Sequence, residues 1–181
     1  MHIQIEQIKS EGLQIRFEES SETFPVLAEM ADTGECEFLA PIKTALRAMR
    51  IGDMIEIEGQ IDTRVRLACG RCLKTFETPL SSPFALTYTH LTEDLPADTA
   101  QEEVELRAED MGFVYFEGET IDLQDEIQEH IVMAFPLRAL CREDCKGLCP
   151  RCGHDLNEGV CGCDHQLSNG KFAALKDLKL K

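Results

Sequence analysis

Positive charge is scarce in this sequence. Eighteen lysines and arginines face 34 aspartates and glutamates, a formal charge of −16. Binding to nucleic-acid phosphate runs on basic side chains displacing counterions, so this balance opposes a non-specific nucleic-acid binder. It favours basic partners, or simply solubility. Long hydrophobic runs are missing as well. No stretch approaches the length of a membrane span, and the opening residues MHIQIEQIKSEGLQIRFEE alternate and carry charge throughout, without an apolar signal core. The expected location is the cytoplasm, with no membrane partner. There is no Walker loop, nucleophile elbow, HExxH or dinucleotide fingerprint. No basic recognition helix for DNA is visible either. No pairing of polar residues suggests acid–base catalysis, so neither an enzyme nor a small-molecule substrate is expected.

What the chain does contain is alternation. Hydrophobic residues make up 43% of it, enough for a core. Leu13, Ile15 and Phe17 alternate with polar neighbours. Cys36, Phe38, Ile42, Leu46 and Ala48 share even parity; Ile55, Ile57, Ile61, Val65 and Leu67 share odd parity; Phe76, Leu80, Phe84, Leu86 and Tyr88 are even again. Period two marks half-buried strands. Gly52-Asp53 reads as a turn between two of them, and Pro79 and Pro83 mark edge positions or a break.

Residues 91–110 hold eight acids and one arginine and read as a solvated loop. After a short strand candidate at 113–116, the spacing predicts a helix over 121–135. Leu123, Ile127, Ile131 and Ala134 recur at helical intervals, Asp122, Asp125 and Glu126 fill the first turn, and Pro136 ends it. That stripe is core packing. The tail KFAALKDLKLK is a short basic segment.

Nine cysteines in a chain without a secretion signal point to metal or redox chemistry, because disulfides are rare in a reducing compartment. Cys69-Gly-Arg-Cys72 falls between alternating runs of opposite parity, at the tip of a β-hairpin. Two thiolates with two residues between them reach one tetrahedral ion, and turn amides can donate to the sulfurs. Such a knuckle supplies two ligands and needs two more. The C-terminal third supplies six: Cys141, Cys145, Cys149, Cys152, Cys161 and Cys163. Spacing pairs Cys69 and Cys72 with Cys141 and Cys145, across 68 intervening residues, and leaves Cys149, Cys152, Cys161 and Cys163 as a local set. Two Zn²⁺ ions in closed, structural sites are expected, taking the charge to about −20. Iron–sulfur clusters take the same ligands, and His154 or His165 could replace a cysteine. Cys36 shares parity with core residues and reads as a small buried hydrophobe. A competing reading is a thiol or zinc redox and stress sensor, which needs a reactive, exposed cysteine.

Bases gather near the cysteines. Arg64, Arg66, Arg71 and Lys74 surround the knuckle, with no acid between Asp62 and Glu77, and Arg138, Arg142, Lys146 and Arg151 accompany the second group. Such a patch suits structured RNA or an acidic protein surface; alternatively it only neutralises thiolate charge.

The sequence resembles the bacterial and plastid YceD family. The likeness rests on Cys69-Gly-Arg-Cys72-Leu73 followed by Phe76, on Ile121-Asp122-Leu123, on Phe135-Pro136 and Leu140-Cys141, and on Cys145-Lys-Gly-Leu-Cys149-Pro-Arg-Cys152-Gly153. Leu156-Asn157, Cys161-Gly-Cys163 and Phe172-Ala-Ala-Leu175 extend it. Where the family often has Asp-Pro-Arg before the terminal phenylalanine, Asn169-Gly170-Lys171 stand here. The resemblance implies a zinc-binding role in accumulation or processing of large-subunit ribosomal RNA, with that RNA or a pre-ribosome as partner and a tie to a basic large-subunit ribosomal protein. Family members vary at the second cysteine group, which marks Cys69, Cys72, Cys141 and Cys145 as the shared site. The expected fold is α+β: an antiparallel sheet or partly open barrel with one packed helix in residues 1–140, then a cysteine-rich zinc module and basic tail in 141–181.

Overall fold

The computed structural model describes residues 1–90 and 113–163. The acidic stretch 91–110 and the tail with His165 lie outside the described residues. The elements in order are β1 (His2–Gln4), β2 (Leu13–Glu19), α1 (Pro25–Asp32), β3 (Glu37–Phe38), β4 (Ile42–Ile51), β5 (Met54–Ala68), β6 (Thr75–His90), β7 (Phe113–Phe116), β8 (Thr120–Asp122) and α2 (Gln124–Ala134).

Alternation does what period two requires. Ile55, Ile57, Ile61, Val65 and Leu67 of β5 are all buried, as are Leu80, Phe84 and Tyr88 of β6. The strands run in the order β2-β4-β5-β6-β7, and β3 joins β5 on the edge that β4 also uses. The sheet is open and antiparallel, apart from the parallel pair β6–β7. One face carries α2, whose Ile127 and Ile131 are buried with Phe24 and Leu27 from the α1 region. Gly52, at a φ of 62°, makes the β4–β5 turn. Pro79 and Pro83 sit in an unbroken β6, opposite Arg64 and Gln60. Among the described residues that stretch of β6 has β5 alone as neighbour, so the missing N–H groups cost no ladder bond.

Gly59 occupies an inward slot of β5 between Leu46 and Phe84. A Cβ there would lie 2.6 Å from the Phe84 ring and 2.7 Å from the Ala45 carbonyl oxygen. The ring cannot easily swing away, because His130 of α2 lies 5.6 Å from it, centroid to centroid. Gly59→Ala is expected to destabilise the chain by about 1–3 kcal/mol, read from the urea midpoint. An unchanged midpoint would mean that the ring yields.

The β5–β6 hairpin is the longest feature, paired from Met54↔Thr89 to Ala68↔Thr75. It outruns β4, whose pairing with β5 stops at Asp62. A second apolar cluster lines this extension: Cys36, Val65, Leu67 and Leu80, with Phe38, Phe135 and Ala139 against them. Phe38 and Phe135 meet edge to face at 6.3 Å. The segment leaving α2 is thereby led along the hairpin towards its tip. Cys36 is buried, and that burial raises its thiol pKa, as befits a core residue.

Several details differ from expectation. There are two helices rather than one packed helix. α1 begins with Pro25 in its first turn, and its Val26 N–H donates to Gln128 Oε1 of α2 at 2.9 Å. The α2 helix starts at Gln124, not 121, because Ile121 and Asp122 belong to β8, which pairs with β1. Asp122 Oδ1 accepts from the Gln124 N–H at 3.1 Å, capping the helix from just outside. Pro41 splits the expected second strand into β3 and β4. Among the described residues, no helix is long and apolar enough to cross a membrane.

Candidate metal centre

Two tight turns in the chain have the same backbone. In Cys69–Lys74 the Cys69 N–H donates to the Lys74 carbonyl at 2.9 Å, and the Leu73 N–H donates to the Cys69 carbonyl at 2.9 Å. In Cys149–His154 the Cys149 N–H donates to the His154 carbonyl at 2.8 Å, and the Gly153 N–H donates to the Cys149 carbonyl at 2.9 Å. Each turn places the residue after its second cysteine in the left-handed region, Leu73 at φ 59° and Gly153 at φ 73°. Glycine is at ease there; for leucine the conformation costs about 1–2 kcal/mol. Leu73 is 67% exposed, so burial does little to offset it.

The first turn caps the long hairpin. The segment after α2 wraps it, with the Gly70 N–H donating to the Ala139 carbonyl at 2.8 Å and the Leu148 N–H to the Arg71 carbonyl at 3.1 Å. This wrapping brings Cys141 and Cys145 to Cys69 and Cys72. The Sγ atoms of Cys69 and Cys145 are 3.8 Å apart, as are those of Cys72 and Cys141. All four lie within 4.8 Å of one another, and so do those of Cys149, Cys152, Cys161 and Cys163. Four thiolates bound at about 2.3 Å to one tetrahedral ion would be about 3.8 Å apart. Both groups therefore fit a single ion held by sulfur alone, with no open position. A four-iron cluster would interpose iron and sulfide and spread the sulfurs further. His154 lies outside both groups.

The backbone prepares the sulfurs for charge. Amides of Cys141 and Cys72 pull the Cys69 thiol down to about 6, and those of Cys152 and Arg151 do the same for Cys149, to about 6. The Arg151 N–H lies 3.4 Å from Cys149 Sγ. Cys163 moves the other way, to about 12, chiefly through its contact with Cys152. A cluster without an ion thus favours thiolate at one position, because neighbouring sulfurs cannot all be negative at such range; a divalent cation removes that conflict. The two groups differ in cover. In the first, Cys69, Cys72 and Cys145 are buried and Cys141 is exposed; in the second, only Cys149 is buried, Cys152 is exposed and Cys161 and Cys163 are half-buried.

Most of the basic residues around the knuckle are already engaged. Arg66 pairs with Glu37 at 2.6 Å and Glu77 at 2.8 Å. Lys74 pairs with Asp155 at 2.9 Å and Glu158 at 2.5 Å. Arg71 donates to the Cys145 carbonyl at 2.7 Å and the Glu143 carbonyl at 3.3 Å, which orders the guanidinium but leaves its charge uncancelled. Arg64 is exposed on β5, opposite Pro79. Sequence spacing carried no hint of Asp155, a buried carboxyl held down to about 2, first by the Lys74 ammonium.

An open, mostly antiparallel sheet with two helices, bearing two four-cysteine groups shaped for metal, defines a metal-module scaffold. The family described as "Large ribosomal RNA subunit accumulation protein YceD" matches residues 57–179, and the chain belongs to that family. An Arabidopsis thaliana protein named "Large ribosomal RNA subunit accumulation protein YCED homolog 1, chloroplastic" is 23% identical over 156 residues, covering 77% of this chain and 49% of its own length. An uncharacterized Mycobacterium tuberculosis protein is 31% identical over 133 residues, covering 74% of this chain and 59% of its own. One from Mycobacterium leprae is 27% identical over 139 residues, with 74% and 58% covered. The chain thus spans about half to three-fifths of the length of these relatives. No solved structure matches it.

Proposed function

We propose that this protein is a non-enzymatic, zinc-stabilised factor of the cytoplasm that supports accumulation or processing of large-subunit ribosomal RNA. One observation carries the reading: eight thiols stand in two compact fours at the end of the hairpin, in a chain whose family is described by large-subunit RNA accumulation. Zinc supplies folding free energy to residues 141–181, which act as a metal-dependent module on the β-rich part, residues 1–140. Of the four bases around the knuckle, Arg64 and Arg71 keep uncancelled charge and meet RNA phosphate, while Arg66 and Lys74 are held by carboxylates. The acidic stretch 91–110 faces a basic ribosomal protein.

Cells without the protein should lose large-subunit relative to small-subunit ribosomal RNA. The wild-type chain should restore the ratio and the Cys69→Ser/Cys72→Ser chain should not; an unchanged ratio on deletion would reject the reading. Direct contact is tested by RNA binding across a salt series. Arg64→Ala should reduce the salt slope by about one, and Arg66→Ala should leave it unchanged. Equal slopes for wild type and Arg64→Ala would remove Arg64 from the RNA face.

A further inference from the structure

Asn157 belongs to the loop between Cys152 and Cys161, so its chain segment is part of the second cysteine group. Its side chain is directed to the first. Nδ2 donates to Cys145 Sγ at 3.5 Å and to Asp155 Oδ1 at 2.6 Å. Oδ1 accepts from the Lys146 N–H at 2.8 Å and from Arg142 at 2.7 Å. A primary amide has two donors and two acceptor lone pairs, and here all four are used. Asp155 Oδ1 accepts from the Asn157 N–H at 2.9 Å, and Asp155 Oδ2 pairs with Lys74 at 2.9 Å, beside the first knuckle. The second group's loop therefore grips the first group at a ligand sulfur, at the residue after that ligand, and at the knuckle lysine.

We propose that Asn157 is a positioning residue that couples the two metal centres. The second centre holds the loop that carries it, and its Nδ2–H donates to the Cys145 ligand sulfur in the first. This rests on the zinc reading above. An N–H donor on a ligating sulfur disperses its charge and fixes its direction, and outer-shell partners of this kind are commonly worth 10- to 100-fold in metal affinity. An ion in the second centre, by closing Cys149, Cys152, Cys161 and Cys163 around it, holds the loop so that Asn157 reaches Cys145. Affinity at the first centre then rises with occupancy of the second, and linkage makes the effect reciprocal.

The test titrates the full, reduced chain with Co²⁺ and then displaces it with Zn²⁺. The first centre's sulfur-to-cobalt charge-transfer band is obtained by subtracting the spectrum of the Cys69→Ser/Cys72→Ser chain. Asn157→Ala and Asn157→Asp should each weaken the first centre by roughly 10- to 100-fold. They should also move that band to longer wavelength, because a sulfur without its N–H donor gives up charge more readily. Cys152→Ser/Cys161→Ser should weaken the first centre by a similar factor, and adding Asn157→Ala to it should change little more. Circular dichroism of the sheet checks that each variant folds; a folded variant whose first centre takes no cobalt counts as the expected loss. Two ions bound with unchanged first-centre affinity would overturn the coupling. Weaker binding with an unmoved band would also overturn it, reducing Asn157 to a loop staple. A wild-type chain that binds no metal would instead reject the zinc reading itself.

Discussion

Elemental analysis of the purified chain is expected to give two zinc ions per molecule, and one in the Cys69→Ser/Cys72→Ser variant. This is the largest effect anticipated here, because structural zinc contributes on the order of 10–16 kcal/mol in small metal modules. The loss should be local. None of the eight clustered cysteines belongs to the main apolar cluster, which is built from Ile57, Ile61, Phe84, Ile127, Ile131 and their neighbours. A strong chelator should therefore release residues 141–163 to hydrogen exchange and proteolysis while β2, β4 and the proximal half of the hairpin stay protected. The Cys69→Ser/Cys72→Ser chain should keep its local second ion, though with lowered affinity. One ion in both proteins, or none, would mean that the hairpin cysteines do something other than bind metal. Simultaneous loss of the sheet on chelation would show that the sheet does not stand without the metal module.

The parts of this architecture that were legible in sequence are those governed by short-range periodicity. Five odd-numbered apolar residues in β5 and the even set in β6 announce a half-buried hairpin, and Cys69 and Cys72 sit where the parity switches. The same pattern shows Gly59 only as a gap; that Phe84 fills the gap depends on cross-strand register. The short helix α1 has eight residues and buries only Leu27 among them, too few for a 3.6-residue period to show. β1 and β8 are three-residue strands paired across 116 to 120 positions and leave no local trace, whereas β7 matches the strand candidate at 113–116 and only its parallel pairing with β6 was hidden. Charge was the most deceptive feature. A run without acids from 63 to 76 suggests a free basic surface, but register brings Glu37 of β3 and Glu77 of β6 to Arg66. Folding brings Asp155 and Glu158 to Lys74. Neutralisation of that kind is a tertiary property and cannot be read from neighbours in the chain.

Gly147→Ala is expected to loosen the seam between the hairpin tip and the segment that completes the first centre. Gly147 has a φ of +74°, and a Cβ there would lie 2.9 Å from the Arg71 carbonyl oxygen. That oxygen accepts the Leu148 N–H at 3.1 Å, one of the bonds that fastens the wrapping segment to the knuckle. Left-handed strain costs about 1–2 kcal/mol for a residue with a Cβ, and crowding a backbone atom adds about 1–3 kcal/mol. The sum, about 2–5 kcal/mol, corresponds to roughly 30- to 4,000-fold in first-centre metal affinity, measured by competition with a calibrated chelator. Gly153→Ala is the matched control. Its φ is +73°, but nothing lies within 4 Å of a Cβ there, so strain alone applies and the effect falls on the second centre, at about 1–2 kcal/mol. If the two substitutions prove equally mild, the contact between Gly147 and Arg71 does not hold the first centre together. If Gly147→Ala empties the first centre while Gly153→Ala fills both, the fit of residues 145–148 against the knuckle determines whether a long-range pair of cysteines can reach a hairpin pair at all.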